Sequence, residues 1–236
     1  MIISEKHRYL FVELPHTGSK AVSAELREWY AGRSIHTKHA RYSEFLRTAS
    51  PEQRTFFVFS AVRNPLDVAV SLYFRYKNDH LGRYSTRRKT VGEGALRTFE
   101  WVQRTGADFP SFLRHEYRRP FAYDNFSSEA HDGFDYVMRF ENLQDDFASV
   151  LGKIGVEPIR ALPLVNRTAG KRDHFASYYT PEVIPHAMWV FGPFMERWGY
   201  APPQEWGKVR VPLTARAAFH IGRPARRIRN VWRTGP

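Results

Sequence analysis

Two segments of this chain read alike, FVELPHTGSKAV over 11–22 and FVFSAVRNPLDVAVS over 57–71: an apolar run of strand type, a tight turn, then a helix start. A turn that joins strand to helix in this way aims the helix's first backbone N–H groups, and the positive end of its dipole, at whatever sits on the turn. Few folds are open to a chain with two such units. The pattern predicts an α/β fold, a single domain in which a mainly parallel central sheet is flanked by helices. The largely apolar run Thr55–Val62 suits a strand buried on both faces.

The remaining elements are read around these units. Arg8–Leu14 is strand-like, and residues 21–31 place Val22, Leu26, Trp29 and Tyr30 near helical spacing before Gly32, read as a C-cap. Ser34–His39 is expected as a short second strand and Tyr42–Thr48 as a short helix. Past Val62, Asn64 suits a cap and Pro65 the first position of a helix running to Lys77. The polar, basic stretch 78–97 reads as a mobile loop or lid, or else as a solvated surface loop. A helical stretch with Phe99, Trp101, Val102, Phe109, Phe112 and Leu113 follows, then a strand at Phe134–Phe140 and a helix at Leu143–Ile154 ended by Gly155. A terminal helix is expected over Pro181–Trp198, with Pro185 and Pro193 bending or breaking it.

At 236 residues, 42% of them hydrophobic and 15% aromatic, the chain can build one core; that domain is expected over 1–207. No window approaches the roughly 20 apolar residues that cross a bilayer, and the N-terminus lacks a signal-peptide run, so a cytoplasmic protein is expected. The absence of cysteine excludes disulfides, a thiolate nucleophile and a Cys-type zinc site. The net charge of +12 is uneven: Lys208–Pro236 carries eight basic residues and no acidic one. This segment is read as a basic C-terminal extension, dispensable for any ligand site on the two turns. Because the charge gathers there, it says little about the body, and no nucleic-acid partner is expected. Val211, Leu213, Phe219, Ile221, Ile228, Val231 and Trp232 interleave with its arginines, as in a segment held to an anionic membrane surface. A packed extension with a solvated basic face is the other reading.

In the first turn Gly18 permits a tight bend close to a ligand, Thr17 and Ser19 offer hydroxyls, and Lys20 brings a charge to the helix start. Together with His16 they form a P-loop-like anion cradle. It is not a Walker A loop, which needs Gly-x-x-x-x-Gly-Lys-Ser/Thr, whereas here one glycine is present and Ala21 follows the lysine. In the second segment Arg63 presents a planar fork suited to phosphate, and Ser71, about two helical turns on, offers a hydroxyl. A single-glycine turn, an Arg at a sheet edge and a Ser in a helix are each ordinary alone. His36 and His39 could share a face, but nothing supplies a third ligand, and no metal is expected.

Taken together, the two segments resemble the nucleotide-binding signatures of the sulfotransferases, enzymes that use 3′-phosphoadenosine 5′-phosphosulfate (PAPS). The spacing Arg-x-Pro-x-Asp-x-x-x-Ser at Arg63, Pro65, Asp67 and Ser71 is similar to that family's 3′-phosphate site. Thr37-Lys38-His39 lies where cytosolic members carry a Lys-Thr-His strand end. The run 139–143, RFENL, resembles the family's Arg-Tyr-Glu-Asp-Leu step, and Tyr178–Glu182 through Phe194 to Tyr200 resembles the C-terminal helix of the carbohydrate-modifying branch. Gly170-Lys171-Arg172 loosely resembles a basic loop that closes on the 3′-phosphate. One departure is His16, where the family has Lys or Arg. Histidine can donate the same hydrogen bond, but with an ordinary pKa of about 6.5 its charge depends on pH, and Lys20, where Ser or Thr is usual, would supply a cation.

The resemblance implies in-line attack by an acceptor hydroxyl on PAPS, without a metal. His39 would take the hydroxyl proton; His16, Thr17, Gly18, Ser19 and Lys20 would hold the 5′-phosphosulfate, with His16 assisting the leaving group; Arg63, Ser71, Lys171 and Arg172 would hold the 3′-phosphate. The product is 3′-phosphoadenosine 5′-phosphate (PAP), and the acceptor a carbohydrate or glycoconjugate. Glu13 and Glu44 are the next candidates for the base. Tyr73, Phe74, Tyr76 and Tyr84 could stack on a sugar or belong to a core. Two alternatives remain open, a P-loop-like nucleotide kinase and a nucleotide-binding module without turnover.

Overall fold

The structure, a computed structural model, describes residues 1–120, 133–163, 170–171 and 174–221. In chain order its main elements are β1 (Ile2–Ser4), β2 (Tyr9–Phe11), α1 (Ser19–Trp29), β3 (Arg33–Ser34), α2 (Tyr42–Thr48), β4 (Phe57–Val62), α3 (Pro65–Lys77), α4 (Glu93–Thr105), α5 (Phe109–Glu116), β5 (Tyr136–Arg139), α6 (Leu143–Lys153) and α7 (Ile184–Trp198). A further helix covers 213–221. The chain divides into two compact units, whose described parts are 1–63 with 133–163, and 64–120 with 170–171 and 174–221.

The first unit holds one mixed sheet of five strands in the order β3-β1-β2-β4-β5. β2, β4 and β5 run parallel, with Phe11 opposite Phe59 and Ala61 opposite Met138. The expected mainly parallel sheet is corrected at one side: β1 pairs antiparallel with β2, and β3 antiparallel with β1. The N-terminal hairpin was not legible because Ile2 and Ile3 form too short an apolar run to show a period. The second strand expected over Ser34–His39 shrinks to Arg33–Ser34, since His36 and His39 both take left-handed backbone, φ 54° and 63°, which no strand accommodates.

Side chains alternate across this sheet as a pleat requires. Ile2, Tyr9, Phe11, Phe59, Ala61 and Met138 face one way, against Val22 and Leu26 of α1 and Phe147, Val150 and Leu151 of α6. Ile3, Leu10, Val12 and Val58 face the other way, with Phe45 of α2. Two buried polar groups in this core have partners: Tyr9 donates its hydroxyl to the Tyr30 carbonyl at 2.9 Å, and Ser60 to the Val12 carbonyl at 2.7 Å. Gly32 follows α1 as expected, but the left-handed residue there is Ala31, φ 52°. Gly32 is required by space, because a Cβ on it would lie 2.6 Å from Ile2 Cγ2 and 2.7 Å from the Leu26 carbonyl oxygen.

In the second unit α3 follows the sequence closely. The Asn64 side chain accepts from the Leu66 N–H at 3.0 Å and Pro65 occupies the first turn. Tyr73, Tyr76 and Tyr84 lie in this unit's core with Phe99, Phe109, Phe112 and Phe191, so these tyrosines are packing residues. The single helical stretch read from Phe99 to Leu113 is two helices, parted at Gly106 (φ 61°), with Asp108 capping α5 by accepting from Ser111 N–H. The stretch read as a lid or a solvated surface loop is largely exposed up to the start of α4 at Glu93, with Asp79 accepting from the N–H groups of Tyr84 and Ser85 and Tyr84 stacked on Phe99.

The basic C-terminal segment packs on α7 as far as it is described. Val211, Ala215 and Phe219 are buried, the first two with Met188, while Leu213 and Ile221 are exposed. Ile228, Val231 and Trp232 lie outside the described residues. Among the described residues no helix is long and apolar enough to cross a membrane.

Candidate functional site

The residues singled out in the sequence fall into two groups, one in each unit. In the first unit, β2 and β4 are neighbours and parallel, so the segments that leave their C-terminal ends emerge at the same edge of the sheet. The Val12 N–H donates to the Phe59 carbonyl at 2.9 Å and carries the pairing one residue past β2. The chain then turns through Glu13–Gly18 into α1, while β4 ends at Arg63. Open α/β sheets bind ligands at this edge.

The turn is built on left-handed backbone. His16 sits at φ 68° and Gly18, the residue capping α1, at φ 77°. Gly18 carries no penalty there, but a β-carbon side chain such as His16 does. Thr17 is buried and donates its hydroxyl to the Leu14 carbonyl at 3.0 Å, so it braces the turn. The Gly18 carbonyl accepts from Ala21 N–H at 2.9 Å as α1 begins. The N–H groups of an α-helix's first turn have no partner within the helix, which makes the start of α1 suited to an anion. Ser19 is buried and Lys20 exposed at that start.

Arg63 reaches back to this turn and donates from Nη1 to the His16 carbonyl at 3.2 Å. Its guanidinium lies over the Phe140 ring, 4.0 Å from the ring centre. Phe140 also closes on the turn: a Cβ placed on Gly18 would be 3.2 Å from Phe140 Cδ2 and 2.6 Å from Leu143 Cδ2. The RFENL run thus packs against both turns. The sequence marks these residues only by likeness to a motif, and their packing role depends on pairing β5 with β4.

His39 joins the group from a third stretch of chain. Its Nδ1 lies 3.0 Å from the Glu13 backbone oxygen. Burial lowers its pKa, with Lys38 acting in the same direction, and the Glu13 carbonyl opposes part of that shift. His39 therefore stays neutral at physiological pH. With the proton on Nδ1 donated to Glu13, Nε2 carries the lone pair.

The two carboxylates held in reserve as bases are engaged elsewhere. Glu13 is buried and accepts from the Ser23 hydroxyl at 2.7 Å and the Met1 amino group at 2.9 Å. Burial would raise its pKa, but these hydrogen bonds outweigh it and hold the carboxyl below its usual value. Glu44 closes the start of α2 by accepting from Arg41 N–H at 2.9 Å.

In the second unit, Ser71 is buried on α3, and Lys171 pairs with the carboxylate of Asp67 in the first turn of α3. That pairing sets the Lys171 charge against an acid of the same sequence motif. Arg172 lies outside the described residues. Among the described residues no three His, Asp or Glu side chains gather as a metal site would require, and His36 is instead within 3.2 Å of the Thr48 hydroxyl. Comparison of the chain with protein-family models, with curated proteins and with solved structures finds no match.

Proposed function

We propose that this chain is a sulfotransferase that moves a sulfuryl group from PAPS to a hydroxyl of a carbohydrate or glycoconjugate. The observation that carries this reading is a convergence. Three separated stretches, the His16–Gly18 turn, His39 and Arg63, meet at the C-terminal edge of β2 and β4 through the Arg63–His16 and His39–Glu13 hydrogen bonds. Chance punctuation of an α/β fold explains each alone but not a guanidinium and a neutral histidine both bonded to the backbone of one turn segment, 13–18.

In the proposed reaction the acceptor oxygen forms a bond to sulfur as the bond from sulfur to the 5′-phosphate oxygen breaks, and PAP leaves. The acceptor proton passes to His39 Nε2, which the Nδ1 contact to Glu13 orients. The P-loop-like turn and the start of α1 hold the phosphosulfate, with His16 and Lys20 at the leaving oxygen. Negative charge that grows there would meet the backbone N–H groups at the start of α1 and the charge of Lys20, the kind of stabilisation that carries much of the rate gain in such transfers. The roles of Arg63, Ser71, Lys171 and Arg172 toward the 3′-phosphate rest on the sequence resemblance.

The test is titration of PAP against AMP and ATP, followed by incubation with sulfur-labelled PAPS and a panel of sugar acceptors. PAP binding tighter than AMP, with label moved to an acceptor, is expected. Preference for ATP would point to a nucleotide kinase, and PAP binding without transfer to a binding module.

A further inference from the structure

The resemblance gives Phe140 no role, yet it touches both halves of the proposed anion site. Its ring lies beneath the Arg63 guanidinium at 4.0 Å, and its edge sits where any side chain on Gly18 would have to go. The guanidinium is held on two sides, by this ring and by the His16 carbonyl at 3.2 Å. An arginine on a single flexible stem spends conformational freedom to meet a phosphate, and a planar group already laid on an aromatic face loses less. Phe140 stands directly after β5, whose parallel register against β4 brings Arg139 opposite Val62. The residue after one strand thereby meets the residue after the other.

We propose that Phe140 is a positioning residue: it holds Arg63 at the 16–18 turn, so that the guanidinium is set for a phosphate before ligand arrives. The ring acts through Arg63 and makes no contact of its own with the reacting atoms. This inference rests on reading the turn as an anion site, and it is specific to a flat face, since a leucine of similar bulk fills the space without offering one.

The experiment is a double-mutant cycle read by calorimetric titration, with Phe140→Leu, Phe140→Tyr, Arg63→Met and the Phe140→Leu/Arg63→Met double variant, each first checked for a native melting transition. PAP is one probe and inorganic pyrophosphate, which needs only an anion cradle, the other. Phe140→Leu is expected to weaken PAP binding about five- to tenfold, the range of a lost cation–π contact. Phe140→Tyr should stay within about twofold, and Phe140→Leu should add nothing once Arg63 is Met and no cation lies over the ring. Unchanged binding in Phe140→Leu, or an equal loss in both backgrounds, overturns the positioning role. If the wild-type protein ignores PAP but binds pyrophosphate with the same coupling, the positioning role stands and the sulfotransferase reading falls. If it binds neither, both fall.

Discussion

His39 Nδ1 lies 3.0 Å from the backbone oxygen of Glu13, the residue that opens the turn leading to His16 and Gly18. One hydrogen bond therefore fixes which nitrogen of His39 faces outward, and ties a segment of irregular backbone to the end of β2. His39→Ala is expected to lower kcat for sulfuryl transfer by about 10²- to 10⁴-fold while PAP affinity stays nearly unchanged. Near-normal turnover in that variant would remove His39 as the base.

The same histidine sets a pH dependence. Its folded-state pKa lies below the ordinary 6.5, chiefly through burial, so below that pH the unfolded chain takes up a proton that the native state resists. The stability tied to His39 is present above about pH 6.5, the unfolded value, and is lost as pH falls from there through the lower folded-state pKa. The acid limb of kcat/KM should likewise have its midpoint below 6.5. Denaturant unfolding of the wild type and His39→Gln between pH 5 and 8 checks the first point: the variant should show the flatter profile.

At His16 the backbone and side chain oppose each other. Its φ of 68° costs an ordinary residue about 1–2 kcal/mol, which glycine avoids at an entropic cost of roughly 0.5–1 kcal/mol. His16→Gly should be at least as stable as the wild type in thermal melts, yet slower in turnover and weaker for PAP. A clear drop in Tm would mean that the imidazole itself holds the turn.

Gly18→Ala tests the turn from the other side. The new methyl would meet Leu143 Cδ2 at 2.6 Å in a left-handed position, combining backbone strain with overpacking. A loss of about 2–4 kcal/mol is expected, together with weaker PAP binding, and an unfolding midpoint equal to wild type would show that the Phe140–Leu143 wedge yields easily.

In the C-terminal segment, Phe219 is 2% exposed. Phe219→Ala should cost about 3–5 kcal/mol, as for other buried aromatic residues, and a chain ending at 207 should lose more, because Val211 and Ala215 leave Met188 uncovered. A truncated chain that melts like the full one would show that the packing of Val211 and Ala215 on Met188 adds little to stability.

Where the rules that set an element act over a few residues, the sequence was legible. Asn64 and Pro65 define the start of α3, and the actual hydrogen bond to Leu66 N–H is the one their order predicts. The bounds of α2 also follow the sequence reading, and β4 lies within the run read as buried strand. Elsewhere the signal is too short or too distant. Ile2–Ser4 becomes a strand by pairing with Tyr9–Phe11 and Arg33–Ser34, and the contacts that tie down the largely exposed stretch after Asn78, at Asp79 and between Tyr84 and Phe99, are set by packing.

The candidate site divides in the same way. Residue identity nominated the His16–Lys20 turn and Arg63, because glycine and a fork of N–H donors have chemistry that does not depend on the fold, whereas His39 was nominated by likeness to a family motif. Tertiary structure decided which of them meet: the parallel register of β2, β4 and β5 brings Arg63 to the His16 carbonyl and Phe140 beneath its guanidinium, and a single contact to Glu13 sets His39. Those contacts join residues dozens of positions apart, and their geometry is fixed by strand pairing and core packing, which no local pattern of the chain encodes.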